Sequence, residues 1–234
     1  MLAKREDLEV LYEAAMIRRI VGIYFSPIGG TEAMTQALIS ELADKLEGAC
    51  TDHIECECYD LLRMDEQALE FDDETVAVIG MPAYIGKIPL PAVMTMRDAV
   101  SAKGTYALTA VSYGSRSYGN ALYELQHYAE NQGFKVIGAG AFSVRYGARR
   151  RSGSFDWSHL DTNCIGEFGK AASDKIKRLS GCEIESLRIK PAPLEVTGKL
   201  PFHGVSRIAP GAAAFAEGLL DRISFFRNSS EWYL

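Results

Sequence analysis

The chain has 234 residues, of which 47% are hydrophobic, and its 25 basic and 31 acidic side chains give a net charge of −6 at pH 7. This length suits one domain with an appendage, and the composition allows a sizeable buried core. The acidic balance argues against nucleic acid as a partner, because phosphate backbones bind basic surfaces. No uninterrupted apolar run approaches the roughly 20 residues that cross a bilayer, and the N-terminus runs straight into charged residues. We therefore expect a cytoplasmic protein that acts away from membranes.

Five cysteines are scattered along the chain without any Cys-x-x-Cys pair. Their odd number and their spacing favour reduced thiols over a disulfide framework or a metal cage, and we predict no metal site. Cys56 and Cys58 would point to the same face of an extended strand, where we interpret them as small buried hydrophobic side chains.

Strand-like and helix-like segments alternate along the chain. Residues 75–80 (TVAVIG) form a nearly continuous apolar run, which is typical of a strand covered on both faces. Residues 138–141 (GAGA) fall inside the last predicted strand, and we assign them to close packing within the sheet. The predicted strands are 19–25, 53–59, 75–80, 105–112 and 135–144, and the predicted helices are 32–46, 92–101, 121–131 and 160–179.

This alternation predicts an α/β fold with a doubly wound, five-stranded parallel sheet and helices on both faces. We predict an N-terminal helical extension over 1–18, the sheet domain over 19–182 and a C-terminal extension over 183–234. Ligands of such sheets bind outside the carboxyl ends of the strands. The loops that follow the strands are therefore the candidate binding residues.

The first predicted strand ends in a short glycine-bearing loop, residues 26–31 (SPIGGT), that leads into a helix. Backbone N–H groups at a helix N-terminus lack intrahelical partners, and the helix dipole adds a partial positive charge there. Gly29 and Gly30 can adopt positive φ, and Ser26 and Thr31 can offer hydroxyl donors. The loop predicts a phosphate site, with an ordinary tight strand-to-helix turn as the alternative.

Two further loops follow later strands of the predicted sheet. Residues 81–89 (MPAYIGKIP) hold one tyrosine and one glycine, and residues 113–120 (YGSRSYGN) hold two of each. Glycines expose backbone amides, and a tyrosine stacked on a planar ligand contributes on the order of 1 kcal/mol beyond the burial of its area. Each tyrosine alone is interpreted as a solvent-facing loop residue. Three loops on one edge together favour a ligand with a flat ring and a phosphate.

The order of these loops resembles the flavodoxin-like family, and most closely the flavodoxin half of anaerobic flavodoxin–ferredoxin fusion proteins. The resemblance covers about residues 19–180. The family's phosphate loop reads hydroxyl-x-hydroxyl-Gly-x-hydroxyl, which Ser26, Gly29 and Thr31 match. Ile28 stands where a threonine is usual, so one side-chain donor to the phosphate is missing there.

The resemblance implies flavin mononucleotide (FMN) as the cofactor. No nucleophile elbow, HExxH motif or recognisable carboxylate pair is present, so we assign no catalytic residue. The cofactor-binding residues that the resemblance implies are Ser26, Ile28, Gly29, Gly30, Thr31, Pro82, Ala83, Tyr84, Ile85, Gly86, Ser112, Tyr113, Gly114, Tyr118 and Gly119.

The implied function is electron transfer by bound FMN, with a redox partner protein such as a ferredoxin or a reductase. A homodimer is also compatible with the sequence. One alternative is an NAD(P)H-dependent FMN reductase of a small acceptor. Its only local support is the basic cluster of Arg145, Arg149, Arg150 and Arg151, which could bind the phosphate of a nicotinamide cofactor or an acidic partner, but which is otherwise a solvated basic loop. Another is a non-catalytic protein-binding scaffold whose phosphate loop has degenerated. The C-terminal extension has no cysteine after Cys182, so it carries no iron–sulfur motif.

Overall fold

A computed structural model describes residues 16–64, 68–114, 117–144, 160–180, 194–196 and 230–234. Most of the predicted N-terminal helix, the arginine cluster at 145–151 and most of the predicted C-terminal extension lie outside these described residues.

Eight strands and four helices lie within the described ranges, and each of the nine predicted elements overlaps one of them. Three short strands were not predicted, and one of them begins within the residues predicted as the end of the second helix. In chain order the elements are β1 (Arg19–Tyr24), α1 (Gly30–Leu46), β2 (Glu55–Asp60), β3 (Leu69–Phe71), β4 (Thr75–Pro82), α2 (Leu90–Ala99), β5 (Val100–Ala102), β6 (Tyr106–Tyr113), α3 (Ala121–Asn131), β7 (Lys135–Ser143), α4 (Thr162–Ser180) and β8 (Glu231–Tyr233).

The main sheet of the described chain has the strand order β2-β1-β4-β6-β7-β8. Its first five strands are parallel, and β8 pairs antiparallel with β7, placing Trp232 opposite Gly140. Counted along the chain, the parallel strands have the order 2-1-3-4-5, which is the flavodoxin-like order. The predicted five-stranded parallel sheet is confirmed, and β8 adds an antiparallel strand at its edge. Strands β3 and β5 form a separate parallel pair.

Buried side chains cover both faces of the sheet. In β4, Ala77 and Ile79 pack in one cluster with residues of α2 and α3, including Leu122. The alternate residues Val76 and Val78 pack in a second cluster with residues of α1 and α4. All eight residues of β4 are buried, which explains its continuous apolar run. The predicted helices on both faces are confirmed.

Small residues let β7 pack closely against its neighbours. A Cβ added at Gly138 would lie 2.7 Å from both Leu108 Cδ2 and Leu234 Cδ2. At Gly140 it would lie 2.6 Å from Phe142 Cε2. The assignment of these glycines to close sheet packing is confirmed, and the contact with Leu234 shows that they also make room for the chain around β8.

The cysteines depart from the sequence prediction. Cys50 is disulfide-bonded, so reduced thiols are the wrong prediction for this residue, whereas Cys56, Cys58 and Cys164 are free. Cys56 and Cys58 are also exposed rather than buried, because β2 lies at the edge of the sheet.

No helix in the described part of the chain combines the length and the apolar character that crossing a bilayer requires.

Candidate functional site

The loop between β1 and α1 presents backbone donors at the carboxyl edge of the sheet. Gly29 precedes the helix in a left-handed conformation, with φ 92° and ψ −13°. The Ser26 hydroxyl oxygen accepts the N–H of Glu32 at 3.0 Å and so caps α1 in place of Gly29. Within the described residues, the N–H groups of residues 28–31 donate no well-aligned hydrogen bond. Such a run of unpaired N–H groups forms a concavity that suits an anion.

The charges around this helix end are mixed. Glu32 lies in the first turn of α1, where its carboxylate interacts favourably with the helix dipole but repels a bound anion. The Tyr24 hydroxyl donates to Glu32 Oε1 at 3.1 Å. Burial and then the Glu32 carboxylate raise the pKa of Tyr24, so its hydroxyl remains a donor at neutral pH. The backbone donors of the loop are therefore the groups that favour a phosphate.

Ser112 at the end of β6 connects two of the predicted loops. Its hydroxyl oxygen lies 2.8 Å from Thr31 Oγ1, and both side chains are buried. The Ser112 carbonyl accepts the N–H of Ala83 at 2.8 Å. The start of α1 and the loop after β4 are thus held to one strand.

Ile28 and Tyr84 close the space between the first two loops. Ile28 packs against Tyr84, whose side chain is only 1% exposed. The tyrosine ring, which the sequence suggested for stacking on a ligand, is therefore enclosed by protein. Ile28 supplies apolar packing where the family pattern has a hydroxyl.

The loop after β4 ends in a strained two-residue turn. The N–H of Tyr84 donates to the Lys87 carbonyl at 2.8 Å, and the N–H of Lys87 donates to the Tyr84 carbonyl at 3.2 Å. The two residues between them have positive φ, 53° at Ile85 and 74° at Gly86. A β-branched residue is rare in this conformation, which costs about 1–2 kcal/mol. The Ile85 side chain is 56% exposed, so the turn presents an apolar group to solvent.

The loop after β4 contacts the loop after β6 at two glycines, Gly86 and Gly119. A Cβ added at Gly119, which has φ 55°, would lie 2.6 Å from the Gly86 Cα. The N–H of Asn120 also donates to the Gly86 carbonyl at 2.9 Å. The backbones touch, so neither position has room for a larger residue and the two loops form one unit.

Two tyrosines flank this unit. Tyr113 at the end of β6 is buried, and the edge of its ring meets Tyr118 with 5.6 Å between the ring centroids. Burial and then the charge of Glu231 raise the pKa of Tyr113 to about 12. Burial and hydrogen bonds to Tyr233 and Glu231 likewise raise the pKa of Tyr118. Both hydroxyls are neutral at physiological pH.

Solved structures similar to this chain include flavodoxins. A flavodoxin from the domain Archaea shares 15% sequence identity at a TM-score of 0.44, and the match covers 68% of this chain and 99% of that flavodoxin. The two-electron reduced Megasphaera elsdenii flavodoxin shares 19% at 0.38, with 66% and 98% covered. A flavodiiron core from Synechocystis shares 14% at 0.47, and the match covers 76% of this chain but only 40% of that protein.

No protein-family profile and no curated protein matches the chain. The fold assignment therefore rests on the strand order and on the two buried faces of the sheet. The closeness to flavodoxin–ferredoxin fusion proteins stays a prediction.

The strand order also locates a crevice for a ligand. In this order the connections leave β1 in opposite directions, so the topological switch point lies between β1 and β4. The loops at 26–31 and 83–89 follow these two strands, and residues 112–114 and 118–119 follow the next one. All the sequence-predicted binding residues thus lie at the end of β4 or β6 or in loops at the same edge of the sheet.

Glu124 belongs to this site but was missed. Its side chain is completely buried, Oε2 accepts the N–H of Ile88 at 3.1 Å, and Oε1 lies 4.0 Å from Lys87 Nζ. Burial raises the pKa of Glu124, and the Ile88 N–H and the Lys87 ammonium partly oppose this. A signal existed, because position 124 falls inside the buried stripe that includes Ala121 and Leu125.

Glu231 was also missed. Its carboxylate accepts the Tyr118 hydroxyl at 2.8 Å, although 113 residues separate the two along the chain. No residue pattern indicates a pairing partner for the three-residue strand β8, and the aromatic pair Trp232-Tyr233 is the one signal in that segment.

Proposed function

We propose that the chain binds FMN and transfers electrons through it. The observation that carries this proposal is the run of unpaired N–H groups at residues 28–31, beside the β1/β4 switch point. FMN binds at this switch point in the flavodoxin-like strand order. A phosphate there would gain backbone hydrogen bonds and the field of α1 together.

The donor set fits a phosphate ester. The N–H groups of residues 28–31 would hold its oxygens, and Ser26 retains its hydroxyl proton because its oxygen serves as the acceptor for Glu32. The Thr31 and Ser112 hydroxyls share one hydrogen bond, so one of them keeps a proton to donate. These groups bind a phosphate without any basic side chain.

The flavin ring would contact the unit formed by the loops after β4 and β6. The Gly86–Gly119 contact fixes the position of both backbones, and Ile85 offers an apolar surface that excludes water. Tyr118 supplies a half-buried aromatic ring at the same edge. When bound, FMN supplies one- and two-electron transfer, and the protein supplies binding and electrostatics.

A redox partner protein such as a ferredoxin or a reductase completes this proposal. The chain itself has no cysteine-rich motif for a cluster, so electrons must come from another molecule. In stopped-flow experiments we expect a reduced ferredoxin to reduce the flavin-loaded protein faster than NADH or NADPH does. Fast reduction by a nicotinamide would instead support the reductase alternative.

Titration with two ligands tests the proposed site. Flavin fluorescence should be quenched as apoprotein is added to FMN, with saturation at micromolar protein. Riboflavin lacks the phosphate and is the matched control, so it should bind at least tenfold more weakly. Equal affinities would show that residues 26–31 do not hold the phosphate.

The scaffold alternative also has an observation in its favour. Ile28 packs on Tyr84 and so uses the phosphate loop for internal contact. A protein that quenches no FMN at micromolar concentration would overturn flavin-dependent electron transfer and support the scaffold.

A further inference from the structure

The C-terminal strand β8 and the serine before it contact both β7 and the start of α4. The Ser143 N–H donates to Ser230 Oγ at 3.1 Å, and the Ser230 hydroxyl donates to Asp161 Oδ2 at 2.9 Å. Asp161 Oδ1 in turn accepts an N–H in the first turn of α4, from Cys164. Trp232 lies next to Phe168 of α4, with 6.1 Å between ring centroids. These contacts define where the side chains of β8 lie.

Glu231 and Tyr233 alternate with Trp232 along β8 and so share the opposite face of the strand. Glu231 Oε2 accepts the Tyr118 hydroxyl at 2.8 Å, and Tyr233 lies close enough to Tyr118 to contribute to its raised pKa. The neighbour of Tyr118 is Gly119, whose backbone touches Gly86. A continuous set of contacts therefore runs from β8 through the loop after β6 to the loop after β4.

We propose that Glu231 is a positioning residue of the flavin site: by holding the Tyr118 hydroxyl it fixes the Gly119–Gly86 contact and hence both loops. This inference rests on the proposed function for its ligand, but the contacts that carry it belong to the protein alone. A carboxylate suits the role because a hydrogen bond to a charged acceptor is stronger than one to a neutral group. Tyr118 keeps its proton at neutral pH, so the donor is always present.

Three variants separate positioning from general stability. Glu231→Ala removes the acceptor, Glu231→Gln keeps a neutral acceptor, and Tyr118→Phe removes only the hydroxyl. Glu70→Ala is the matched control, since Glu70 is an exposed strand carboxylate paired with Lys103 at 3.9 Å in the separate β3–β5 sheet.

Amide hydrogen exchange on the full-length apoprotein tests the positioning directly. The Asn120 N–H, which donates to the Gly86 carbonyl, should exchange about three- to tenfold faster in Glu231→Ala and Tyr118→Phe than in wild type or Glu70→Ala. Glu231→Gln should restore most of the protection. Unchanged exchange of Asn120 in Glu231→Ala overturns the inference.

FMN affinity gives a second, independent measurement. Glu231→Ala and Tyr118→Phe should each weaken FMN binding about three- to tenfold, and the double variant should be no weaker than either, because both break the same contact. Fully additive losses would overturn the inference. If wild type binds no FMN, the proposed function fails, and the exchange of Asn120 alone decides whether Glu231 positions the loops.

Discussion

Ile28 packs against protein at a position where a hydroxyl side chain could instead contact a bound phosphate. Its position in the loop at 26–31 is where a hydroxyl would add a donor, yet its side chain packs on Tyr84. A single hydrogen bond to a charged group contributes about 1.5–3 kcal/mol. If the loop binds the phosphate as proposed, the missing hydroxyl should weaken that binding measurably, while the backbone donors remain.

Ile28→Thr and Ile28→Val test this exchange, because threonine and valine have nearly the same shape. Both variants lose one carbon from the half-buried contact with Tyr84 and should cost at most about 1 kcal/mol of stability. Ile28→Thr should bind FMN roughly tenfold more tightly than Ile28→Val, as measured by quenching of flavin fluorescence. Equal affinities of the two variants would show that the backbone N–H groups already satisfy the phosphate.

Glu124 makes stability depend on pH. Burial raises its pKa in the folded protein, whereas in the unfolded chain the pKa is about 4.3. Between these two values the folded state binds more protons than the unfolded state, so stability falls as the pH rises through this window. Lys87 and Tyr128 are titratable neighbours, and the Glu124 charge contributes to a raised pKa of Tyr128.

Glu124→Gln should remove this dependence while still accepting the Ile88 N–H. Its free energy of unfolding, measured with urea at several pH values, should rise relative to wild type between pH 4 and pH 7. Glu130→Gln, at an exposed position of the same helix, serves as the control. A difference between Glu124→Gln and wild type that stays constant with pH would contradict the prediction.

At the scale of elements, the contact between two loop backbones makes glycine necessary. Gly119→Ala would force a Cβ into a left-handed residue, 2.6 Å from the Gly86 Cα. We expect a loss of about 2 kcal/mol or more in the free energy of unfolding, together with weaker FMN binding.

Gly166→Ala is the matched control for this substitution. Gly166 lies inside α4, and an added Cβ would meet nothing within 4 Å. Alanine there should stabilise the protein by about 0.5–1 kcal/mol, because it improves helix propensity. Urea unfolding of both variants should therefore give changes of opposite sign, and a Gly119→Ala variant as stable as wild type would refute the contact.

Hydrophobic periodicity predicted the long elements well, for a physical reason. A buried strand such as β4 and an amphipathic helix such as α4 each carry a pattern over enough residues to be read. The three-residue strands β3, β5 and β8 are too short to show a period. Pairing of β8 with β7 is also non-local, and nothing in a local pattern reveals it.

For the candidate site, the position of the loops was predictable from the sequence, but the side-chain contacts were not. Alternation of strands and helices placed three loops at one edge of the sheet, which required no knowledge of side-chain contacts. The enclosure of Tyr84, and the roles of Glu124 and Glu231, depend on tertiary packing between distant segments. These contacts join residues that are far apart in the sequence, so no local pattern indicates them.

At the scale of the whole molecule, the disulfide at Cys50 is a testable departure from the sequence prediction. Alkylation followed by mass spectrometry should label the exposed Cys56 and Cys58 in the native protein, whereas the buried Cys50 should be labelled in the unfolded protein only after reduction. Reduction should lower the free energy of unfolding by about 2–4 kcal/mol. Cys50→Ser should lose this sensitivity to reductant, and labelling of Cys50 without reductant would disprove the bond.

The two exposed thiols of β2 give this protein a natural point of attachment. Partial burial raises the pKa of all three free thiols, that of Cys164 to about 11, but Cys56 and Cys58 are exposed whereas Cys164 is half-buried, so thiol chemistry favours Cys56 and Cys58. Strands β2 and β8 form opposite edges of the sheet. Molecules attached to a gold electrode through these thiols would share one orientation, with the β8 edge facing the solution. Voltammetry could then measure the proposed electron transfer without engineered cysteines.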